Sequence, residues 1–448
     1  MFEDRLDLII IKAMKETNRK EFQAILDELH PYDIAKLYKD LPRKHRYKFL
    51  LFLTAEQLAS LLPELGAQDQ KEILHQLGVE KSSRVMDVMD NDDLAELLHE
   101  LGAEDVDYFL SRMKEEESEA VRKLMKYPPE TAGRIMTNRY VWIPVHYTVR
   151  DVVEKLRSFA EIAETINYLY VVDADKKLVG VISYRDLILA HSHEKVEDLM
   201  YTRVISVPVT MDQEAVAQVI ERYDFLAVPV VDENNVLVGI VTVDDIVDVV
   251  IYEANEDIGK LSAASNAIDF DTPAWTAAVR RLPWLILLLL IGLISGSIIS
   301  VFEETLTKVV ALAFFMPMIA GMTGNTGTQS LAVVVRGMIG RELDRRTVIG
   351  LIGREFGVGA VIGATCGILI ALIAYVWQGD GTLGLVVGAS LAATLVIGTM
   401  AGTVIPLLLY RFRIDPAVAS GPLITTINDI LSLLIYFGIA AAFLTQLQ

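Results

Sequence analysis

From residue 282 onward, charge disappears from long stretches of the chain. Uncharged intervals cover residues 282–302, 309–335, 356–379 and 381–410, and a last one runs from 416 to the end, broken only by Asp429. Each is at least as long as the run of about 20 apolar residues that a hydrocarbon core requires. Lipid offers no partner for backbone N–H and C=O groups, so such intervals can cross a membrane only as helices that satisfy those groups internally. The pattern predicts a helical membrane domain over 273–448 with five spans, at about 282–302, 309–335, 350–377, 383–410 and 417–445.

The remaining charges orient the spans. Arg280 and Arg281 precede the first; Arg336, Arg341, Arg345, Arg346 and Arg354 separate the second from the third; Arg411 and Arg413 separate the fourth from the fifth. The opposite loops carry Glu303, Glu304, Lys308 and Asp380. Basic loops stay on the cytoplasmic side, which predicts the N-terminus inside and the C-terminus outside the cytoplasmic membrane. The opening "MFEDRLDLII" has no basic region followed by an apolar run and a small-residue cleavage site, so no signal peptide is expected and the first domains are expected in the cytoplasm.

Composition then separates the two halves. Residues 273–448 hold eight acids and ten bases, which leaves 52 acids and 31 bases, a net charge of −21, in residues 1–272. That excess argues against nucleic acid or anionic lipid as partner of the soluble half and suits cations. The single cysteine, Cys366, lies in an apolar run, so neither a disulfide framework nor a thiolate metal site is expected.

Within the soluble half, residues 1–130 read as short amphipathic helices punctuated by "LLPELGAQD", "LHQLGVE" and "LLHELGAED". Leucines at helical spacing followed by glycine suit a helix C-cap, and the acids that follow suit the next helix start. The expectation is an all-α superhelical N-domain whose Leu and Met stripes form its core. The pattern changes after "YPPETAGRIM". "YLYVVDADKKLVGVISYRDLI" (168–188) is echoed by "LAVPVVDENNVLVGIVTVDDIV" (226–247), and "MTNRYVWIPVHYTVRDVVEKL" by "MYTRVISVPVTMDQEAVAQVI". Each copy has an apolar strand, an acidic turn, a second strand with a glycine, and a Ser/Thr-x-x-Asp helix start. Over residues 136–250 this resembles a tandem pair of cystathionine-β-synthase (CBS) domains, an α/β module, placed here at 131–252. The resemblance implies an adenosine ligand such as ATP, with Ser183, Asp186, Arg185, Tyr168 and Phe225 as candidate contacts. The same Ser183 to Asp186 spacing also reads as a capping box.

The second copy runs on into "VDDIVDVVIYEANEDIGKL" (243–261), and a connecting segment is placed at 253–272. Asp244, Asp245 and Asp248 fall within one helical turn, as do Glu253, Glu256 and Asp257. Like charges at that spacing repel by a few tenths of a kcal/mol per pair, about 0.2–0.5, and oxygen-rich clusters are what hard divalent cations bind. The plainer reading is a solvated helix face. Asp224 joins the candidate regulatory ligands.

Polar residues mark two spans. The second contains "MPMIAGMTGNTGTQSLAVVVRG", in which Pro317, Gly321, Gly324 and Gly327 weaken a helix and Asn325 and its neighbours supply amides and hydroxyls. A small-residue helix contact is the alternative there. The fifth, "SGPLITTINDILSLLIYFG", places Pro422, Thr425, Asn428 and Asp429 together. An aspartate at mid-membrane costs roughly 2.5–3.5 kcal/mol on insertion scales, so function is the better explanation. No G-x-x-x-x-G-K-[ST] is present for a pump, and only one acid is expected at membrane depth, too few for an aspartyl protease; an enzyme is not expected.

"GNTGTQS", "TTINDILSLLIYF", five spans, the CBS pair and the acidic helical N-domain together resemble the MgtE family of magnesium channels over nearly the whole chain. The resemblance implies a multidomain membrane protein, homodimeric, that passes Mg2+ and is closed by Mg2+ on its cytoplasmic domains. It implies a pore at Asp429, with Asn325 in a turn of the second span and Gly324, Thr425 and Asn428 beside it. It also implies a plug helix at 255–270 and sensor carboxylates that include Asp92 and Asp93. The alternative is a secondary divalent-cation transporter coupled to H+ or Na+.

Overall fold

The computed structural model describes residues 3–447 except 100, 160–162, 164, 263–267, 269–271 and 339–343, with the side chains of 3–5, 7, 67, 103, 104 and 159 also left undescribed. Two compact units divide the chain, Met1–Val250 and Ile251–Gln448.

The first unit begins with ten helices among the described residues, from α1 (Glu3–Lys15) to α10 (Glu115–Leu124). The predicted Leu and Met stripes do form the core: Leu58, Leu61, Met86, Leu94 and Leu98 are all buried. The Leu-Gly signals work differently from expectation. Gly66 (φ −69°) is the N-cap of α6 (Ala67–Leu77) and Gly102 (φ −68°) that of α9 (Ala103–Leu110). Only Gly78, at φ +73°, ends a helix, α6, before α7 (Val79–Met86) starts. Gly66 and Gly102 take ordinary extended backbone, so they start the next helix and their acids lie in its first turns.

A short helix, α11 (Ala132–Ile135), leads into the first CBS copy: β1 (Tyr140–Pro144), α12 (Val149–Phe159), β2 (Thr165–Val172), β3 (Leu178–Ser183) and α13 (Tyr184–Leu189). A second lead-in, α14 (Val196–Leu199), precedes β4 (Val207–Pro208), α15 (Gln213–Tyr223), β5 (Ala227–Val231), β6 (Leu237–Thr242) and α16 (Val243–Leu261). Both sheets have the same topology, a parallel pair followed by an antiparallel one, in the orders β1-β2-β3 and β4-β5-β6. The repeated glycines have a shared cause. A methyl group at Gly180 would lie 2.4 Å from Sδ of Met200, and one at Gly239 2.6 Å from Sδ of Met136. Met136 opens the first copy and Met200 the second, so each leader fills a socket in the other copy. The backbone makes the same exchange: Thr137 pairs with Ile240, and Tyr201 with Val181, through N–H···O bonds of 2.8–3.0 Å in both directions.

The second unit contains α17 (Ala274–Val301), α18 (Glu303–Lys308), α19 (Leu312–Met338), α20 (Arg345–Gln378), α21 (Gly381–Arg411), a 3-10 turn at Pro416–Val418, α22 (Gly421–Ala442) and α23 (Leu444–Leu447). Among the described residues four helices are long and apolar enough to cross a membrane: α17, α20, α21 and α22. The expected second span, α19, is an unbroken 27-residue helix, long enough at about 1.5 Å per residue. Its polar run at 323–330 keeps it out of the apolar set. Glycines allow α20 and α21 to meet backbone to backbone, since methyl groups at Gly363 and Gly367 would lie 2.7 Å from the carbonyls of Ala392 and Gly388. The expected connecting segment starts inside α16, which runs unbroken through residue 253 to Leu261; of the expected plug helix, 263–267 and 269–270 lie outside the described residues. Arg341 of the basic loop also lies outside them.

Candidate functional site

The side chains of α22 explain how an aspartate is carried into an apolar bundle. Ser420 caps the helix through Leu423 N–H at 3.4 Å, and Pro422 sits in the first turn. There its missing N–H removes no helical bond, so Pro422 starts the helix and breaks no bond within it. The hydroxyls of Thr425 and Thr426 donate back to the carbonyls of Gly421 (2.9 Å) and Pro422 (2.8 Å).

One flank of α22 is fixed to α19. Asn428 is fully buried, and its Nδ2 donates to the carbonyl of Thr323 at 3.3 Å. Among the described residues its Oδ1 has no hydrogen-bond partner. Gly327 makes the approach feasible, because a methyl group there would stand 2.0 Å from that Nδ2. At Gly324 one would stand 2.9 Å from the Thr425 methyl. Further along, the Tyr436 hydroxyl donates to the carbonyl of Leu312 at 2.8 Å. Gly324, Thr425 and Asn428 therefore lie in the α19–α22 contact, and the glycines of the "GNTG" run serve helix approach. Asn325 is exposed on continuous helix; the turn expected there does not occur, because Thr323 and Thr326 return their hydroxyls to the carbonyls four residues back (2.7 and 2.9 Å).

Asp429, next to Asn428 but rotated from it by one helical step, is partly exposed. Among the described residues no Lys, Arg or His forms an ion pair with it. A carboxylate in this setting can attract a cation from a water-filled path.

A second acid of this unit is buried within the protein. Glu355 is 4% exposed on α20, where one oxygen accepts from Nε and Nη2 of Arg354 (3.1 and 2.8 Å) and the other from Ser330 of α19 at 3.0 Å. The uncharged interval begins at 356, but the helix starts eleven residues earlier, at Arg345, which carries Glu355 inside. With both oxygens engaged, Glu355 ties α20 to α19.

The candidate regulatory carboxylates do not converge among the described residues. Among the described residues no group of three or more His, Cys, Asp or Glu is arranged to hold a metal ion. Asp245 is partly exposed and accepts from the Thr242 hydroxyl at the start of α16; desolvation pushes its carboxyl up to about 6. Asp244 and Asp248 are exposed on the same helix. Farther along α16, Lys260 bridges Glu256 (2.9 Å) and Asp415 (2.7 Å). Burial pulls that ammonium down, but hydrogen bonds to Asp415 and Glu256 outweigh it and raise its pKa. Burial, and then the charge of Asp415, push Asp257 up. Glu253 is partly exposed on the same helix and has interactions of its own. Asp92 and Asp93 occupy the first turn of α8 (Asn91–His99), where acids suit the helix dipole, and both have partners. Close by, Asn91 bonds Asn138 at 2.8 Å and Arg139 pairs with Asp90 at 2.7 Å, joining the helical region to the first CBS copy. Asp224 is an exposed left-handed C-cap of α15.

In the first CBS copy Ser183 and Asp186 form the cap of α13: Ser183 Oγ accepts from Asp186 N–H at 3.1 Å and donates to Asp186 Oδ2 at 2.6 Å. Tyr168 is the cross-strand neighbour of Ser183, and Arg185 is exposed. Phe225 stacks on Tyr223 at 5.5 Å, away from that strand pair in sequence and sheet.

Comparison with known proteins covers the same parts. The family model described as the MgtE intracellular N domain matches residues 29–130, the CBS model matches 132–193 and 196–252, and the MgtE model, a divalent cation transporter, matches 316–439. The chain is 59% identical to a magnesium transporter MgtE of Bacillus subtilis over all of this chain and 99% of that one. It is 39% identical to one of Thermus thermophilus, covering 98% of both. A solved soluble part of a magnesium transporter matches 56% of this chain and 99% of its own, at 37% identity and a TM-score of 0.54. The cytosolic domain of the Mg2+ channel MgtE in complex with ATP matches 54% and 99%, at 37% identity and a TM-score of 0.52.

Proposed function

The chain belongs to the MgtE family of divalent cation transporters, and from that membership we propose that it is a homodimeric magnesium channel of the cytoplasmic membrane, closed by Mg2+ on its acidic cytoplasmic half. The observation that carries the ion path is Asp429: partly exposed, without a cationic partner among the described residues, on a helix that Asn428 and Tyr436 hold in place. Two copies related by a two-fold axis bring two such carboxylates to one path. Mg2+ gives up its water reluctantly, so the ion passes hydrated, its waters held by Asp429 and the exposed Asn325.

Closure draws on the net charge of −21 over residues 1–272. Carboxylates are the hard oxygen donors that Mg2+ takes, and Asp244, Asp248 and the α16 acids offer them on exposed or partly exposed faces. At low internal Mg2+ these surfaces repel; at high Mg2+ they are neutralised and the connecting helices close the path. Moving such an equilibrium from mostly open to mostly closed needs about 5.5 kcal/mol of differential binding, shared among several weak sites. ATP or another adenosine ligand binds the CBS pair near Tyr168, Ser183 and Arg185, a reading that the ATP complex of the similar cytosolic domain supports.

The test is patch clamp of the reconstituted protein while Mg2+ is stepped on the cytoplasmic face. Unitary currents that fall as internal Mg2+ rises, and that vanish in Asp429→Ala with the dimer intact on size exclusion, are the expected result. Slow flux that requires an imposed H+ or Na+ gradient would make Asp429 a coupling residue instead, and undiminished current in the alanine variant would remove it from the path.

A further inference from the structure

We propose that the basic pocket at the end of α21 binds the phosphate headgroup of an anionic membrane lipid. A cavity of about 540 Å³ is lined by Tyr410, Arg411, Arg413, Ile414, Asp415 and Pro416. Both arginines are exposed, and among the described residues neither forms an ion pair. The one acid of the lining is already engaged: Asp415 Oδ2 accepts from Lys260 at 2.7 Å and its Oδ1 from Ala417 N–H at 2.9 Å. The cavity is left with two guanidinium charges, and guanidinium groups match phosphate oxygens in a bidentate manner.

Backbone geometry supplies a second, independent observation. The helix closes in a Schellman motif, with Ile414 N–H bonded to the carbonyl of Leu409 (2.9 Å) and Arg413 N–H to that of Tyr410 (3.0 Å). The residue at the left-handed position of that motif is Arg413, at φ +59°. Glycine is usual there because a side chain is strained in that conformation. A positive charge near a helix C-terminus is explained by the helix dipole, which accounts for Arg411. It does not account for an arginine at the strained position, where glycine would terminate the helix at lower cost.

Location selects the ligand. The pocket closes a membrane-length helix, in the loop that charge distribution assigns to the cytoplasmic face, and Phe412, Ile414 and Tyr410 are exposed around it. Basic pockets with amphipathic and apolar neighbours at that depth meet lipid headgroups from one side and acyl chains from the other.

The experiment is native mass spectrometry of the full-length protein released from vesicles of equal phosphatidylglycerol and phosphatidylcholine, with glycerol 3-phosphate added as a soluble competitor. Retained phosphatidylglycerol should exceed phosphatidylcholine, and the excess should fall about fivefold for each arginine lost in Arg411→Gln and Arg413→Gln. Arg413→Gly separates charge from folding: it keeps the helix ending, relieves the backbone and should melt no lower than the parent, yet should lose the same share of lipid. Unchanged retention in Arg413→Gly overturns the site. Displacement by millimolar glycerol 3-phosphate to the phosphatidylcholine level overturns the lipid assignment, since a free phosphate would then suffice.

Discussion

Gly327 has no room for a methyl group: its Cβ would overlap Asn428 Nδ2 at 2.0 Å and stand 3.1 Å from the carbonyl of Gly398. Gly327→Ala should therefore push α22 off α19 and destabilise the membrane unit by about 1–3 kcal/mol, as overpacking does. Thermal melting of the purified protein measures this, and a double-mutant cycle with Asn428→Ala tests the cause. Shortening Asn428 should return part of the loss; full additivity of the two changes would show that the clash lies elsewhere. At this scale the sequence is a poor guide to roles. Asn428 and Thr425 look like ion ligands because they are polar in an apolar run, and each also has a packing role that the run does not reveal: Asn428 Nδ2 donates to the carbonyl of Thr323 and the Thr425 hydroxyl to that of Gly421. Glu355 is the converse: it stands next to an arginine at the edge of a span, and only its contact with Ser330 of another helix reveals its burial.

Among the elements, α16 gathers the most charge. Its Asp245 carries a pKa raised by burial from 3.8 to about 6. Below pH 3.8 the group is protonated in folded and unfolded chains alike and costs nothing; between 3.8 and 6 only the folded state keeps the proton; above 6 the folded state holds a poorly solvated carboxylate. Stability from this group is thus present at low pH and lost as pH rises through about 6, a swing of about 3 kcal/mol. Asp245→Asn removes the titration, so its advantage over the parent in chelator-treated buffer should grow by that order from pH 4 to pH 7, followed by urea unfolding. An advantage independent of pH would mean that Asp245 ionises as freely folded as unfolded. Spans, repeats and the α16 charge pattern are legible in the chain because each is a local periodicity or an interruption of one. The Leu-Gly signals misled for the same reason: glycine at the join of two helices fits the end of one or the start of the next, and only the backbone angles of Gly66 and Gly102 decide.

For the whole molecule, the proposal makes the acidic half a sensor, and its test is collective. Neutralising Asp248, Glu256 and Asp257 together, as Asn, Gln and Asn, should move closure to higher internal Mg2+ by about tenfold or more while leaving unitary conductance unchanged, since about 1.4 kcal/mol of lost coupling suffices for a decade. Closure at the parental Mg2+ concentration would place the sensor elsewhere. The paired modules in that half also depend on each other for their packing. Met136 fills the Gly239 socket and Met200 the Gly180 socket. A single module would possess one leader and one socket that it could not fill with its own, so deleting either copy would orphan a methionine and reopen a hole in the survivor.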